Sequence, residues 1–159
     1  LRIMKRIWSL IVFSMALVIN VTAQSVTFTP SVLTTPNVAV TTRIYELNTT
    51  NVPSVPDIRI NLAGFSCSPL TYNWRTVSWT PVVPITQPLF RHPVTNPFQP
   101  DPAASAVASA NRAQYRISGP GIYTLELCVS ACGGTQTACG QVQIIAQPLA
   151  NVNPLVTFE

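Results

Sequence analysis

Short runs of alternating apolar and polar residues recur along this chain, and Pro, Gly, Asn and Ser separate them. After residue 24 no stretch has the 3.6-residue period of an amphipathic helix, whereas a two-residue period is typical of strands that bury one face. We therefore predict an all-β fold. The predicted strands are Ser25 to Thr29, a second piece near Val38 to Val40, Asp57 to Ala63, Leu70 to Arg75 and Ala113 to Ile117.

The strongest local signal is a hairpin around Gly133-Gly134, two residues that suit a tight turn between strands. Apolar residues occupy every second position on both sides of the turn: Tyr123, Leu125, Leu127 and Val129 before it, and Val142, Ile144 and Ala146 after it. With the glycines at the centre of the turn, Leu125 lies opposite Val142, so both apolar sets share one face. The same register predicts that Cys128 lies opposite Cys139.

The composition changes from about residue 76 to residue 111. Seven of the fifteen prolines lie between Pro81 and Pro102, and an Ala/Ser-rich stretch follows. Because proline has no N–H to donate to a β-ladder, we predict a long Pro-rich insertion that is mostly a poorly ordered surface loop. Its first part, around Val77 to Val83, is the one piece that we expect to form an edge strand.

Residues 1–23 have the three parts of a secretory signal peptide: basic Lys5 and Arg6, an apolar run from Ile7 to Val21, and small residues up to Ala23. We expect cleavage after Ala23, a β-domain over residues 24–147, and a linker or the start of a following repeat over residues 148–159. The predicted location is secreted or at the cell surface, with no membrane span after signal cleavage.

The formal net charge of +4 overstates how basic the exported part is. Three of the nine basic residues lie in the first six positions, and from Gln24 onward six arginines face five carboxylates. A near-neutral surface without a basic stripe lacks the electrostatic attraction that nucleic-acid binding needs. We therefore expect no nucleic-acid partner.

Three aromatic residues lie in or beside the insertion, and they are candidates for an exposed strip that binds a sugar or a protein: Trp79, Phe90 and Phe98. Packing of the insertion onto the sandwich explains the same residues equally well. His92 is the one histidine, and we expect it in a solvated loop because it has no partners for a triad or a metal site. No catalytic motif is present, so we expect no enzyme, no cofactor and no metal.

Three segments together resemble the PKD-type immunoglobulin-like domain of surface and secreted proteins. The matching positions are the run Ile60 to Ala63, the hairpin that begins Gly121-Ile122-Tyr123, and the stretch Pro69, Leu70, Thr71, Tyr72 and Trp74. The resemblance implies an immunoglobulin-like (PKD-like) antiparallel β-sandwich that carries the long Pro-rich insertion. It also implies that Trp74 is buried in the core and that Tyr123 opens its strand as a corner residue.

Four cysteines in an exported chain predict two disulfides. The hairpin register favours Cys128 with Cys139, which leaves Cys67 with Cys132, and in an immunoglobulin-like sandwich the loops that carry these two lie at the same end. The rival pairing joins Cys67 to Cys128 and Cys132 to Cys139, and it needs an inward-pointing Cys128. A four-cysteine zinc site would lack the usual close cysteine pairs.

These features together predict a non-catalytic extracellular adhesion, binding or spacer module of an exported protein, with protein or glycan ligands at a cell surface. The alternative is an accessory carbohydrate-binding module of a secreted hydrolase.

Overall fold

The computed structural model describes residues 22–37, 42–49, 56–81, 87–100 and 112–148. The predicted signal peptide up to residue 21, the segment Val38 to Val40 and the tail after residue 148 lie outside the described residues. Over the described ranges the strands are β1 (Ser25–Thr29), β2 (Val32–Asn37), β3 (Arg43–Asn48), β4 (Ile58–Ala63), β5 (Thr71–Pro81), β6 (Leu89–Arg91), β7 (Arg112–Ile117), β8 (Gly121–Ala131) and β9 (Gln136–Pro148). None of the helical segments among these residues has the length and hydrophobicity that crossing a membrane requires.

The strands form two sheets that pack face to face. A five-stranded sheet has the order β1-β4-β3-β7-β6, and a four-stranded sheet has the order β2-β9-β8-β5. The all-β sandwich prediction is confirmed. The sheets are not wholly antiparallel, however, because β2 pairs with β9 and β3 pairs with β4 in parallel. The first of these pairs arises where the chain leaves β1 and crosses to the opposite sheet as β2.

The core lies between the sheets and is built from the alternating apolar positions of both. Trp74 is at its centre, 2% exposed, with its ring centroid 6.5 Å from that of Phe28 and 5.7 Å from that of Phe90. The buried position predicted for Trp74 is confirmed. Gly140 packs against the opposite sheet so closely that a β-carbon there would lie 2.1 Å from the Val26 carbonyl oxygen, which means that glycine allows β1 to approach β9.

The hairpin has the predicted register. Leu125 pairs with Val142 and Cys128 pairs with Cys139 along the β8–β9 ladder. A short 3₁₀ turn, Cys132–Gly134, joins the two strands. We call the end of the sandwich that carries this turn the turn end, and the opposite end, where β8 begins at Gly121, the far end.

The described part of the insertion departs from the prediction of a poorly ordered loop. β5 continues to Pro81 as an edge of the four-stranded sheet, so the expected edge strand is present that far. Residues 89–91 then form β6, which pairs with β7 and extends the five-stranded sheet. Reciprocal backbone hydrogen bonds of 2.8 Å between Phe90 and Gln99 fold the following segment back onto β6. Residues 82–86 and 101–111 of the insertion lie outside the described residues.

β3 was not predicted from the sequence, and neither were β6 and the observed bounds of β2. β3 carries only two inward apolar side chains, Tyr45 and Leu47, both fully buried, and the neighbouring apolar Ile44 is exposed, which breaks the alternating pattern. It lies at the centre of the five-stranded sheet, where β4 and β7 supply its hydrogen-bond partners.

Candidate functional site

Two disulfides hold the turn end together: Cys67 with Cys132, and Cys128 with Cys139. The Cα atoms of Cys128 and Cys139 are 4.1 Å apart, a separation typical of a non-hydrogen-bonded cross-strand pair. The pairing is therefore the one that the strand register favours, and the rival pairing is absent. A zinc site made of the four cysteines is excluded because each sulfur is bonded to another sulfur and none is a thiolate.

Hydrogen bonds reinforce the covalent tie of the turn end. The side-chain amide of Gln136 accepts a bond from the Ser66 backbone N–H at 3.0 Å and donates one to the Ser66 hydroxyl at 2.8 Å. Cys132, Gly133 and Gly134 all have positive φ angles, a conformation that glycine adopts without strain and cysteine rarely adopts. The loop after β4 and the hairpin turn therefore form one fixed unit.

A small polar network lies on the outer face of the four-stranded sheet. Glu126 is almost buried, accepts a hydrogen bond of 2.6 Å from Arg75 Nε and accepts another of 2.9 Å from Gln141 Nε2. The hydrogen bond from Gln141 and the neighbouring Arg75 hold the pKa of the Glu126 carboxyl below its usual value, against the effect of burial. This carboxylate is fully partnered, so the network is structural. Its two sulfur neighbours, Cys128 and Cys139, are joined in a disulfide and offer no metal a thiolate.

Buried tyrosines stabilise the far end. The Tyr123 hydroxyl donates a 2.8 Å hydrogen bond to the Gly119 carbonyl oxygen, which is the corner arrangement predicted for this residue. The Tyr45 hydroxyl lies 2.9 Å from the Thr35 hydroxyl and so links β3 of one sheet to β2 of the other. Burial raises the pKa of both phenols, so both remain neutral.

The prediction that His92 is solvated is wrong. The ring is 4% exposed and lies in the core, 5.7 Å from the Tyr72 ring and 6.3 Å from the Trp74 ring by centroids. Its Nδ1 is 3.1 Å from the Arg112 carbonyl oxygen, and burial lowers its pKa. The segment after β6 folds inward and places the imidazole beside Trp74, where Nδ1 has one backbone partner and the buried Nε2 has none among the described residues. His92 is therefore a core residue.

The three candidate aromatic residues do not form a strip. Phe90 is fully buried between the sheets because it alternates with outward-facing neighbours on β6, so for this residue packing onto the sandwich is the alternative that holds. Trp79 is 38% exposed and belongs to β5 of the four-stranded sheet. Phe98 lies against arginines of the other sheet. An extended aromatic platform for a sugar or a protein is therefore not assembled from Trp79, Phe90 and Phe98.

The arrangement around Phe98 was not found from the sequence. Arg91 and Arg116 project from the outer face of neighbouring strands β6 and β7, and their guanidinium carbons lie 4.6 Å and 4.5 Å from the centroid of the Phe98 ring. Gln114 accepts hydrogen bonds from Arg91 Nε at 2.7 Å and from Arg91 Nη2 at 2.5 Å. The signal in the sequence was the alternation of long polar side chains along β7, at positions 112, 114 and 116.

Next to this cluster is a pocket of about 210 Å³ at the far end. Its walls combine one guanidinium, two hydroxyls, one amide and two aliphatic side chains, which belong to Arg116, Thr42, Ser118, Gln87, Leu89 and Ile117. A second, wider and more open depression of about 400 Å³ lies beside β4 and is lined by residues that include Arg59, Asn61 and Tyr72. The first pocket is the one that adjoins a cluster of positive charge.

Comparison with known proteins gives a fold likeness only. No protein-family model matches the sequence, and no curated protein matches it. Among solved structures, a conjugative transposon lipoprotein from Bacteroides eggerthii is similar with a TM-score of 0.48 and 14% identity, over 76% of this chain and 95% of that one. The PKD domain of human KIAA0319 is similar with a TM-score of 0.40 and 12% identity, over 84% of this chain and 91% of that one.

Proposed function

We propose that this chain is a non-catalytic module of an exported protein and that it acts as a spacer, transmitting tension between a surface or partner attached at its amino-terminal end and the segment that follows it. The observation that carries the proposal is that the chain enters the sandwich at the turn end and leaves it at the far end. Domains with this arrangement can be joined in series without folding back on each other.

Contacts at the two ends establish the direction of the chain. Gln24, just before β1, hydrogen-bonds through its side-chain amide to the Gly64 carbonyl oxygen at 3.3 Å, and Val26 packs on Gly140. β9 then runs on from Gly140 to Pro148, a rise of about 26 Å at 3.3 Å per residue. Since Ala146 pairs with Gly121 at the start of β8, the last described residues lie at the far end.

The pairing of the outermost strands suits a load applied between these ends. β2 and β9 are parallel over six residue pairs, from Val32 with Gln143 to Asn37 with Pro148. Tension on the amino-terminal side pulls β2 toward the turn end, while tension on the carboxyl-terminal side pulls β9 the other way. The ladder is then loaded in shear, and its hydrogen bonds resist together instead of opening one at a time.

The disulfides support both export and the mechanical role. Disulfides persist in oxidising compartments, so two of them favour an extracytoplasmic location. The Cys67–Cys132 bond closes a loop across 65 residues, and that length of chain cannot be drawn out after the β2–β9 ladder breaks. A module with this bond intact would therefore extend to only part of its full chain length after the β2–β9 ladder ruptures.

Two measurements test this proposal. A non-reducing peptide map of the secreted protein should give Gln24 as the first residue and both disulfides closed. Single-molecule pulling between the two ends should give one sharp rupture at a force clearly above that of a reference domain whose terminal strands unzip. Reduction of Cys67–Cys132 should then lengthen the unfolded chain by up to about 220 Å, from its 65-residue separation, and by somewhat less while the overlapping Cys128–Cys139 bond stays closed.

The matched control is the double variant Cys67→Ala with Cys132→Ala, which should give the longer extension without any reductant. Gradual extension at a force no higher than that of the unzipping reference would overturn the spacer proposal, because β2 and β9 would then not carry the load. A retained leader or free thiols in the secreted protein would overturn the assignment to an exported protein.

A further inference from the structure

The positive charge of the described residues is concentrated on one surface, the outer face of the five-stranded sheet. Each described carboxylate has an arginine partner: Asp57 with Arg43, Glu126 with Arg75, and Glu46 with Arg112. Over the ranges that the structure describes, the arginines left without an acidic partner are Arg59, Arg91 and Arg116. All three alternate with buried residues on β4, β6 and β7, so all three project from that face.

Two of these arginines are held close together by one aromatic ring. Arg91 and Arg116 both stack on Phe98, so their guanidinium carbons are no more than about 9 Å apart. Two like charges at this separation repel each other, and among the described residues no carboxylate lies between them to offset the repulsion. Stacking on Phe98 reduces the freedom of both side chains. An anion bound there would therefore meet two preordered cations.

The pocket next to Arg116 adds the groups that a sugar needs. Thr42, Ser118 and Gln87 provide hydroxyl and amide groups that both donate and accept hydrogen bonds, and Leu89 provides an aliphatic surface. The volume of about 210 Å³ is smaller than the sites of drug-sized ligands and suits a single ring. Arg116 belongs to both the pocket and the stacked cluster, so a ring in the pocket would place a charged substituent against its guanidinium.

We propose that this pocket, with the Arg91–Phe98–Arg116 cluster beside it, binds an acidic saccharide, that is, a sugar unit bearing a carboxylate or a sulfate. The planar guanidinium matches either oxyanion with two parallel hydrogen bonds. A single-stranded nucleic acid is disfavoured because it needs open aromatic faces on which to stack its bases, and two guanidiniums already pack on Phe98. This inference goes beyond the spacer role and does not depend on it.

The test is titration calorimetry of the purified, disulfide-bonded protein with four probes: a sulfated heparin oligosaccharide, an oligogalacturonate, a neutral cello-oligosaccharide of the same length, and inorganic sulfate. At least one of the two acidic oligosaccharides should bind with an affinity that falls as salt is added. The neutral oligosaccharide should not bind measurably. Inorganic sulfate should bind much more weakly than the acidic oligosaccharide, since it cannot use the hydroxyl and amide groups of the pocket.

Three variants locate the site. Arg116→Gln should weaken binding about ten-fold or more, because it removes a charge-assisted contact. Phe98→Leu keeps the charge and should weaken binding about two- to five-fold by releasing both guanidiniums. Arg59→Gln is the matched control, since it removes the same charge from the same sheet face outside this pocket, and it should change the affinity less than about two-fold.

Equal weakening by Arg59→Gln and Arg116→Gln would overturn the proposal in favour of diffuse attraction to a basic surface. If inorganic sulfate bound as tightly as the acidic oligosaccharide, the site would be one for a simple anion and not for a saccharide. If the neutral oligosaccharide bound as tightly, charge would play no part in recognition. Absence of binding to both acidic oligosaccharides would also overturn it. Each variant is first checked for two closed disulfides and an unchanged melting temperature, so loss of fold is not mistaken for loss of the site.

Discussion

The two ends of the sandwich are stabilised by different kinds of interaction. At the turn end, Cys67–Cys132 and Cys128–Cys139 tie the hairpin turn to the loop after β4 and to itself. At the far end the described residues contain no disulfide, and the buried hydroxyls of Tyr45 and Tyr123 link strands and turns through hydrogen bonds. Covalent bonds restrict the unfolded chain, whereas hydrogen bonds act only in the folded state. The turn end should therefore respond to redox conditions, and the far end should not.

The largest effect should come from removing the longer cross-link. The double variant Cys67→Ala with Cys132→Ala should lower the free energy of unfolding by about 4 kcal/mol, because the bond closes a loop of 65 residues. Removing Cys128 and Cys139 in the same way should cost about 3 kcal/mol, since that loop spans 11 residues. Urea unfolding measures both. The reverse order would show that strain or residual structure, and not loop length, sets the contribution of each bond.

Gly140→Ala should be the next most destabilising change, and it also affects the turn end. The new β-carbon would overlap the Val26 carbonyl oxygen, so β1 must move away from β9 at a cost of about 1 to 3 kcal/mol. Alanine at Gly133 meets no neighbour within 4 Å and is strained only by its φ of 65°, so Gly133→Ala should cost about 1 kcal/mol. Thermal unfolding of both variants checks the comparison. A Gly133→Ala variant less stable than Gly140→Ala would contradict the close contact between β1 and β9.

At the far end, Tyr123→Phe should lower the free energy of unfolding by about 1 to 2 kcal/mol. The substitution keeps the ring and leaves the buried Gly119 carbonyl oxygen without its donor. Tyr72→Phe is the control, because the described residues give the Tyr72 hydroxyl no hydrogen-bond partner. Denaturation of the two variants in reducing and oxidising buffer completes the comparison. The loss of unfolding free energy caused by Tyr123→Phe should be the same in both buffers. A loss that appears only in reducing buffer would show that the disulfides of the turn end also stabilise the far end.

The smallest effect is a pH dependence from His92. Burial lowers its pKa below the ordinary value of 6.5, so the unfolded chain binds a proton at a higher pH than the folded chain does. The contribution of neutral His92 to the free energy of unfolding is therefore fully present above pH 6.5. It decreases as the pH drops from 6.5 toward the lowered pKa. Because the sequence has one histidine, His92→Gln should abolish this dependence between pH 7 and pH 5.5. A dependence that survives in the variant would mean that another group titrates there.

How far the sequence predicted the molecule depended on whether the information was local. The register of β8 and β9 followed from a turn and two alternating faces within 26 residues, and it also favoured the observed partner of Cys128. β3 was missed because Tyr45 and Leu47 are too few to reveal a strand whose partners lie elsewhere in the chain. His92 was misplaced because its burial depends on how the segment after β6 folds back, and the position of Phe90 was left open because β6 itself was not predicted.

The Arg91–Phe98–Arg116 cluster was missed for the same reason. Its members lie on β6, on β7 and in the segment that returns along β6, and the sequence does not show that these three are neighbours. Counting charges from residue 24 onward gave a near-neutral surface. The distribution of those charges between the two sheet faces emerges only from the fold.

The crossing of the chain from one sheet to the other between β1 and β2 has a consequence for the order of folding. β2 is synthesised early, yet its ladder partner β9 follows about 110 residues later. The Ser31 carbonyl oxygen therefore cannot accept its hydrogen bond from the Gln143 N–H until β9 is present. Closing so long a loop costs more conformational entropy than closing the β8–β9 hairpin, and contacts this distant in sequence slow folding. The hairpin with its 11-residue disulfide can form first, and the parallel ladder completes the sandwich only when nearly the whole domain has been synthesised.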